Sequence, residues 1–445
     1  MIIIYMINQK KYTRKNHKKT NTQINGKIIG EKSGWKIVHI YGDPFERGYA
    51  HGYLLSNELQ SIKTILPFIV KEQLNISLTQ YLTKSKQIIY PIVKNQFPEL
   101  FEELRGISNG AKTRGVIITT EYLIAWNSFL SLYSYYKDGP IPHCSAFIAC
   151  GDATEDGKIV MAHNTHSDFA TGQMLNIVLK ITPTNGNEFT MQTSAGFIAS
   201  SSDWFLCANG LIGCETTISN INYEPRFGFP YFCRIRQVMQ YANTLDDCSR
   251  IMIDNNSGDY ACSWLFGDIN QNEIMLLELG LNVNNIKKMK NGVFYGMNSA
   301  ISYTLRNLET NDTGMNDVSL SSGSRNNRMD YLLNEKYYGK LNVMNSKLII
   351  SDHYDSYLNK DITSFRGICK HCELDETYDY NLFGSVDGKV VDTTMAKKMS
   401  FAGRFGSGCG RKFSIKKYID EHPHQQKWLN IVKDIPFYRW VQIKT

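Results

Sequence analysis

No apolar run in this 445-residue sequence approaches the roughly 20 residues that a membrane-crossing helix needs, so no transmembrane segment is expected. The short apolar patch within Met1–Asn8 precedes the nearby positive charges, the reverse of the order in a secretory signal. No export signal is read from it, and no compartment is assigned. Neither an internal repeat nor a low-complexity tract interrupts the body of the chain. There are ten cysteines, but they do not fall into two metal-type pairs. Cys369-Lys370-His371-Cys372 has a spacing that permits zinc or a disulfide, yet a second pair is missing. No metal and no cofactor are expected.

What is present is the composition of a globular protein, 42% hydrophobic and long enough for one large core or two ordinary ones. The formal charge of +7 is concentrated at Lys10, Lys11, Arg14, Lys15, Lys18 and Lys19, without which the chain is nearly neutral. Residues 1–30 therefore read as a basic, disordered leader that has the charge to touch a membrane surface. No specific nucleic acid is expected as a partner.

Trp35 to Ile40 alternates like a strand, and Gly42-Asp43-Pro44 opens a long helical regime from about Tyr49 to Tyr135. Lys137-Asp138-Gly139-Pro140-Ile141-Pro142 ends it, because two prolines and a glycine cannot continue a helix. The helical segment is thus 31–143, and a new unit, 144–445, begins at Cys144. There the texture changes to short strands: Ala146 to Ala149, Met174 to Ile181, Phe189 to Thr193, Trp204 to Ala208, Leu211 to Thr217, Asp259 to Asp268 and Glu273 to Leu279, with a helix at Tyr231 to Tyr241. Asn209-Gly210 and Asp156-Gly157 are hairpin turns. Many hairpins with segregated helices make the fold class α+β rather than a parallel sheet.

The second of those turns pairs a strand after Cys144 with one ending at His163, so the two residues come near one another. A cysteine is a competent nucleophile once a base takes its proton. If the peptide bond between His143 and Cys144 is cut, the freed α-amino group, with a pKa near neutrality, is that base. The other reading of Cys144 is a small buried hydrophobe. His163 and His166 have the chemistry of a catalytic base and equally that of structural histidines. Glu215-Thr216-Thr217 and Asn298 carry groups that suit an oxyanion, and also suit a strand and a turn. Arg325 and Arg328 fit an acidic group or an exposed helix face.

Five ordered motifs go further. Cys144-Ser145-Ala146, His163-Asn164-Thr165, Gly196-Phe197-Ile198 with Ser201-Ser202-Asp203-Trp204, Gly210-Leu211, and Glu215-Thr216-Thr217-Ile218 together resemble the phospholipase B-like, or lamina-ancestor, family. The likeness continues through Asn255-Asn256-Ser257-Gly258, Ser351-Asp352-His353-Tyr354-Asp355 and Val386-Asp387-Gly388-Lys389-Val390. The resemblance implies a four-layer αββα N-terminal nucleophile hydrolase core, with the helical segment as a small chain after cleavage before Cys144. It implies catalytic roles for Cys144, His163, Thr216 and Asn298, and substrate contacts from Asn164, Thr165, Glu215, Trp204 and Arg328. It also implies hydrolysis of an acyl ester or amide, the substrate being an acyl-lipid or an N-acyl amide. An amidase or acyltransferase of the penicillin acyltransferase type, and an inactive binding scaffold, are the alternatives. The family's usual aromatic residue after His-Asn-Thr is His166 here, and His163 stands where related amidases often have arginine.

Overall fold

The computed structural model describes residues 24–136 and 144–445, so the basic cluster of the leader and the His143 side of the expected cleavage point lie outside the described residues. Two sheets carry the architecture. The larger has nine strands, in spatial order Gly26–Lys32, Trp35–Gly42, Ile177–Pro183, Phe189–Thr193, Trp204–Cys207, Leu211–Thr217, Cys262–Asp268, Glu273–Leu279 and Asn284–Met289. All of its neighbours are antiparallel except Trp35–Gly42 and Ile177–Pro183, which run parallel. The smaller sheet has six antiparallel strands in the order Gly292–Gly296, Ser145–Cys150, Val160–Asn164, Asp387–Asp392, Ser400–Phe405 and Val441–Lys444.

Side-chain alternation decides what each face covers. Ala146, Ile148 and Cys150 of the smaller sheet share one buried cluster with Trp204, Ile212, Cys214 and Leu265 of the larger, so the two sheets meet there. Phe147 and Ala149 point the other way, onto Met329, Leu332 and Ile349 from the helical stretch 321–349. The remaining face of the larger sheet, through Leu179, Met191, Phe266 and Leu277, packs on Leu59, Leu104 and Ile235. Those three come from helices Ser56–Ile69, Pro98–Thr113 and Tyr231–Tyr241. The protein is a mixed α/β structure, and among the described residues no helix is long and apolar enough to cross a membrane.

The expected helical segment is present as a succession of helices from Pro44–Leu54 to Phe129–Tyr133. Asn209-Gly210 turns the hairpin as its sequence predicts, with Gly210 at φ 96°. One boundary is corrected. Gly26–Lys32 is a strand paired with Trp35–Gly42, so the end of the presumed leader belongs to the sheet. Its alternation is hidden by a register shift between Ile28 and Gly30, which breaks the period of two.

Helices Pro44–Leu54 and Pro98–Thr113 approach at backbone contact. A Cβ on Gly48 would lie 2.0 Å from the Glu103 carbonyl oxygen, and one on Gly110 would lie 2.0 Å from that of Tyr49. This closeness buries an ion cluster: the Glu103 carboxylate accepts from Arg47 Nε at 2.6 Å and from Arg236 Nη1 and Nη2 at 3.0 and 2.9 Å. Burial alone would raise the pKa of Glu103, but Arg236 and Arg47 outweigh it and hold the group down at about 2. A depressed carboxylate stabilises the fold above its ordinary pKa of 4.5, and that contribution disappears as pH falls from there toward about 2. Glu103→Gln leaves the buried Arg236 guanidinium without an anion and Arg47 with Glu99 alone, so it lowers unfolding free energy by roughly 3–5 kcal/mol at pH 7. Urea unfolding at pH 7 and pH 3 checks this: the gap between variant and wild type narrows at the lower pH, and an equal gap at both contradicts the assignment.

Candidate active site

Cys144 immediately precedes strand Ser145–Cys150, is 2% exposed, and has a φ of 77°. That left-handed value is unfavourable for a residue with a side chain and marks stored backbone strain. Register then lays out what lies beside it. Ala146 pairs with His163, and His163 pairs with Lys389 of Asp387–Asp392, so one row crosses three strands on the face turned toward the larger sheet. Lys389 and Asp387 form a fully buried ion pair at 2.9 Å. Further hydrogen bonds hold it: Lys389 Nζ donates to Thr165 Oγ1 at 2.7 Å, and Asp387 accepts from the Thr165 amide at 3.0 Å and from Gln192 Nε2 at 2.8 Å. Such additional partners offset the cost of keeping two charges in the interior.

The opposite support comes from helix Ser321–Tyr331. Arg325, 0% exposed, donates from Nη1 to the Cys144 carbonyl at 2.9 Å and Ser145 Oγ at 3.0 Å, from Nη2 to Asn298 Oδ1 at 2.9 Å, and from Nε to the Ser321 carbonyl at 3.0 Å. Asn298, also in the left-handed region at φ 78°, donates from Nδ2 to the Thr217 carbonyl at 2.8 Å. One guanidinium thus ties the residue before the strand to the end of Leu211–Thr217. Burial lowers the Arg325 pKa to about 10, and the neighbouring Cys144 sulfur works against that fall.

Burial, with Glu215 and Asp203 nearby, pushes the Cys144 thiol well up, while the His166 amide donating to the sulfur and the Lys389 charge pull the other way. His163 and His166 are both held neutral, chiefly by burial, with Lys389 adding to the effect on His163 and Arg325 to that on His166. His163 Nε2 meets the Glu215 carbonyl at 3.0 Å and its Nδ1 has no partner among the described residues. His166 Nε2 meets the Ile368 carbonyl at 3.1 Å.

Glu215 accepts from Tyr260 Oη at 2.8 Å and shares a hydrogen bond with the Asp203 carboxyl. Two buried carboxyls bonded to one another need a proton between them, and burial raises both pKa values. The folded state therefore binds more protons than the unfolded one above the ordinary Asp value of 3.8, and stability declines as pH rises from there toward about 7. Asp203→Asn flattens this slope between pH 5 and pH 8 in urea unfolding; an unchanged slope rejects the shared proton.

Cys144, Thr165, His166, Asp203 and Tyr260 border one cavity of about 60 Å³. Its apolar wall is Ile69, Trp126, Phe129, Leu130 and Phe197, four of them from the helical segment. The structure thus brings Cys144, His163, Thr165, Glu215 and Asn298 into one neighbourhood. Thr216 sits between the sheets with its hydroxyl against Gly296, where a Cβ would lie 2.0 Å away. The expectation of substrate contacts fares less well for three residues. Trp204 is fully buried in the apolar cluster between the sheets. Asn164 is turned to the other face, donating to the Ile350 and Ile368 carbonyls at 2.5 and 3.2 Å. Arg328 is engaged by Asp352, at 3.0 and 2.7 Å, and lies over the Tyr354 ring, away from the cavity wall. Lys389, Asp203 and Tyr260 had no role assigned from sequence, although Asp203 and Lys389 stand inside the motifs that carry the resemblance.

Among the described residues one group has the composition of a metal centre, His353, Cys369, His371 and Cys409. Cys372 is not in it; it packs with Phe365 and Phe383.

Fold and site together define a mixed α/β protein of two facing sheets with a strained, buried cysteine at the start of a strand. No family model matches the chain. An uncharacterized protein of Archaeoglobus fulgidus is 26% identical over 260 residues, taking in 54% of this chain and 42% of that protein, so the chain spans about two fifths of the length of the curated relative it matches. Among solved structures, a mutant conjugated bile acid hydrolase from Clostridium perfringens aligns over 59% of this chain and 89% of its own at 8% identity, with a TM-score of 0.33. Penicillin V acylase from Agrobacterium tumefaciens aligns over 59% and 83% at 12% identity, with a TM-score of 0.34.

Proposed function

We propose that this protein is a self-processed cysteine hydrolase of the N-terminal nucleophile type, cleaving an acyl amide or acyl ester through a thioester on Cys144. The observation that carries the reading is the placement of Cys144: left-handed backbone, start of a strand, bordering a largely apolar cavity, carbonyl clamped by Arg325. In processing, the Cys144 sulfur attacks the carbonyl carbon of residue 143, the C–N bond breaks, and the departing nitrogen takes the thiol's proton. Water then hydrolyses the thioester, leaving a carboxylate on 143 and a free amine and thiol on Cys144. That amine is the base for turnover, in which the same sulfur takes the acyl group, the leaving amine or alcohol takes the proton, and water releases the acid. Asn298, oriented by Arg325, and Thr216 are assigned to the oxyanion, and neutral His163 to the polar wall beside it.

The layer order helix, sheet, sheet, helix belongs to this reading; what supports it is the partition of apolar side chains into one cluster between the sheets and separate clusters outside each. Phospholipid deacylation, the activity implied by the motif resemblance, stands as one substrate choice and N-acyl amide hydrolysis as the other, and the apolar cavity wall suits the acyl chain of either. Intact mass of protein quenched during turnover on a panel of N-acyl amides and phospholipids tests this. An acyl adduct on the fragment beginning at Cys144 is expected with one panel; no adduct and no product from any member sinks the hydrolase reading in favour of a binding scaffold.

A further inference from the structure

Three distant stretches of chain meet next to the site. His353 follows helix Val343–Ile349, Cys369 and His371 flank Lys370, and Cys409 lies in the turn after strand Ser400–Phe405. One ligand atom from each, two thiol sulfurs and two imidazole nitrogens, lies within 4.8 Å of the other three. The two sulfur-to-nitrogen separations about His371 Nε2 are 3.5 Å to Cys369 and 3.4 Å to Cys409. Zinc bonds of about 2.3 Å to sulfur and about 2.0–2.1 Å to nitrogen, set at the tetrahedral angle, give an edge of about 3.6 Å. The cluster already has nearly that spacing.

The surroundings fit as well. His371 Nδ1 meets Glu373 Oε1 at 2.7 Å, the carboxylate–imidazole contact that fixes ring orientation in metal centres and leaves the other nitrogen free to ligate. Two thiolates and two neutral imidazoles balance the charge of Zn²⁺, which matters because Cys369 and His371 are buried. A cavity of about 110 Å³ bordered by His371, Glu373, Ser385 and Ser407 lies alongside and offers an entry path. All four positions of a tetrahedron are filled by protein, which is the pattern of a structural ion rather than a catalytic one.

We propose that His353, Cys369, His371 and Cys409 bind one Zn²⁺ in a closed tetrahedral site that pins these three stretches beneath the Cys144 cavity. The link to the cavity is short. The Cys369 amide donates to the Asp352 carbonyl at 3.0 Å, and the adjacent Ile368 carbonyl meets His166 Nε2, the residue whose amide donates to the Cys144 sulfur. The ion thus holds the backbone against which His166 is seated. The proposal is independent of the reaction that Cys144 performs.

Metal analysis of the full chain purified without chelator tests it. About one zinc per chain is expected. Cys409→Ser and Cys369→Ser lower that content at least about fivefold, whereas Cys372→Ser, outside the cluster, leaves it unchanged. Should the variants fail to fold, wild type alone decides. Stripping with a chelator lowers its melting temperature, and adding Co²⁺ to the stripped protein restores it with thiolate-to-cobalt charge transfer and the visible bands of a tetrahedral ion. Wild type that carries no zinc and gives no cobalt bands overturns the proposal. So does a Cys369–Cys409 disulfide in protein prepared under reductant, or zinc that is lost in Cys372→Ser.

Discussion

Cys144→Ala is expected to leave the protein as one 50.9 kDa chain, where wild type is expected to divide into residues 1–143 and 144–445. The alanine variant also loses at least roughly 10⁴-fold in turnover on any acyl substrate, because the nucleophile and its amine base disappear together. Alanine fits the site without strain beyond what is already there, since it replaces a buried thiol by a methyl at the same left-handed backbone position. Circular dichroism should therefore be unchanged. Intact mass and N-terminal sequencing read the result directly: a new terminus at Cys144 in wild type and none in the variant. If the variant is cut at the same bond, another protease does the processing, and self-cleavage is wrong.

The second large effect belongs to Arg325. Arg325→Met removes the donors that serve the Cys144 carbonyl, Ser145 Oγ and Asn298 Oδ1, all inside the protein. Each buried acceptor left without a partner costs about 1–3 kcal/mol, and the Cys144 carbonyl and Ser145 Oγ both lose this donor, so a stability loss of roughly 2–6 kcal/mol is expected. Processing slows as well, by about 10²-fold, because the carbonyl and amide that frame the cysteine are no longer held. Arg325→Lys separates the two effects: a lysine keeps the charge but not the planar fork, so it reaches one acceptor and recovers stability more than rate. The measurement is the processing half-time under conditions where urea unfolding shows each variant folded. Wild-type half-times in Arg325→Met would remove Arg325 from the site.

Much of this arrangement could be read from local pattern. The Asn209-Gly210 turn, the strand Phe189–Thr193 and the helix Tyr231–Tyr241 follow from turn chemistry and periodicity. Cys144's strand does pair with that of His163, but through a longer connection with a 3-10 turn at Gly151–Ala153 rather than a tight Asp156-Gly157 hairpin. What escaped was set by contacts between distant residues. Arg325 and Arg328 are one helical turn apart and of identical chemistry, yet one is sealed inside and the other pairs with Asp352. Nothing within their helix distinguishes them; the elements packed around it do. The Asp203–Glu215 pair and the Lys389–Asp387 pair depend on sheet register in the same way. Cys372 illustrates the converse, since its spacing from Cys369 suggested a pair, but the turn aims it into a small aromatic cluster.

The helical segment and the remainder of the chain are interleaved rather than docked. Trp35–Gly42 contributes a strand within the larger sheet, beside Ile177–Pro183, and Glu103 is clasped by Arg236 from beyond Cys144. A break before Cys144 would therefore produce a heterodimer with a shared interior. The two pieces should travel together through gel filtration in native buffer and part only in denaturant. Unfolding would then change molecularity: the midpoint of the processed form should depend on protein concentration, and that of the intact Cys144→Ala chain should not.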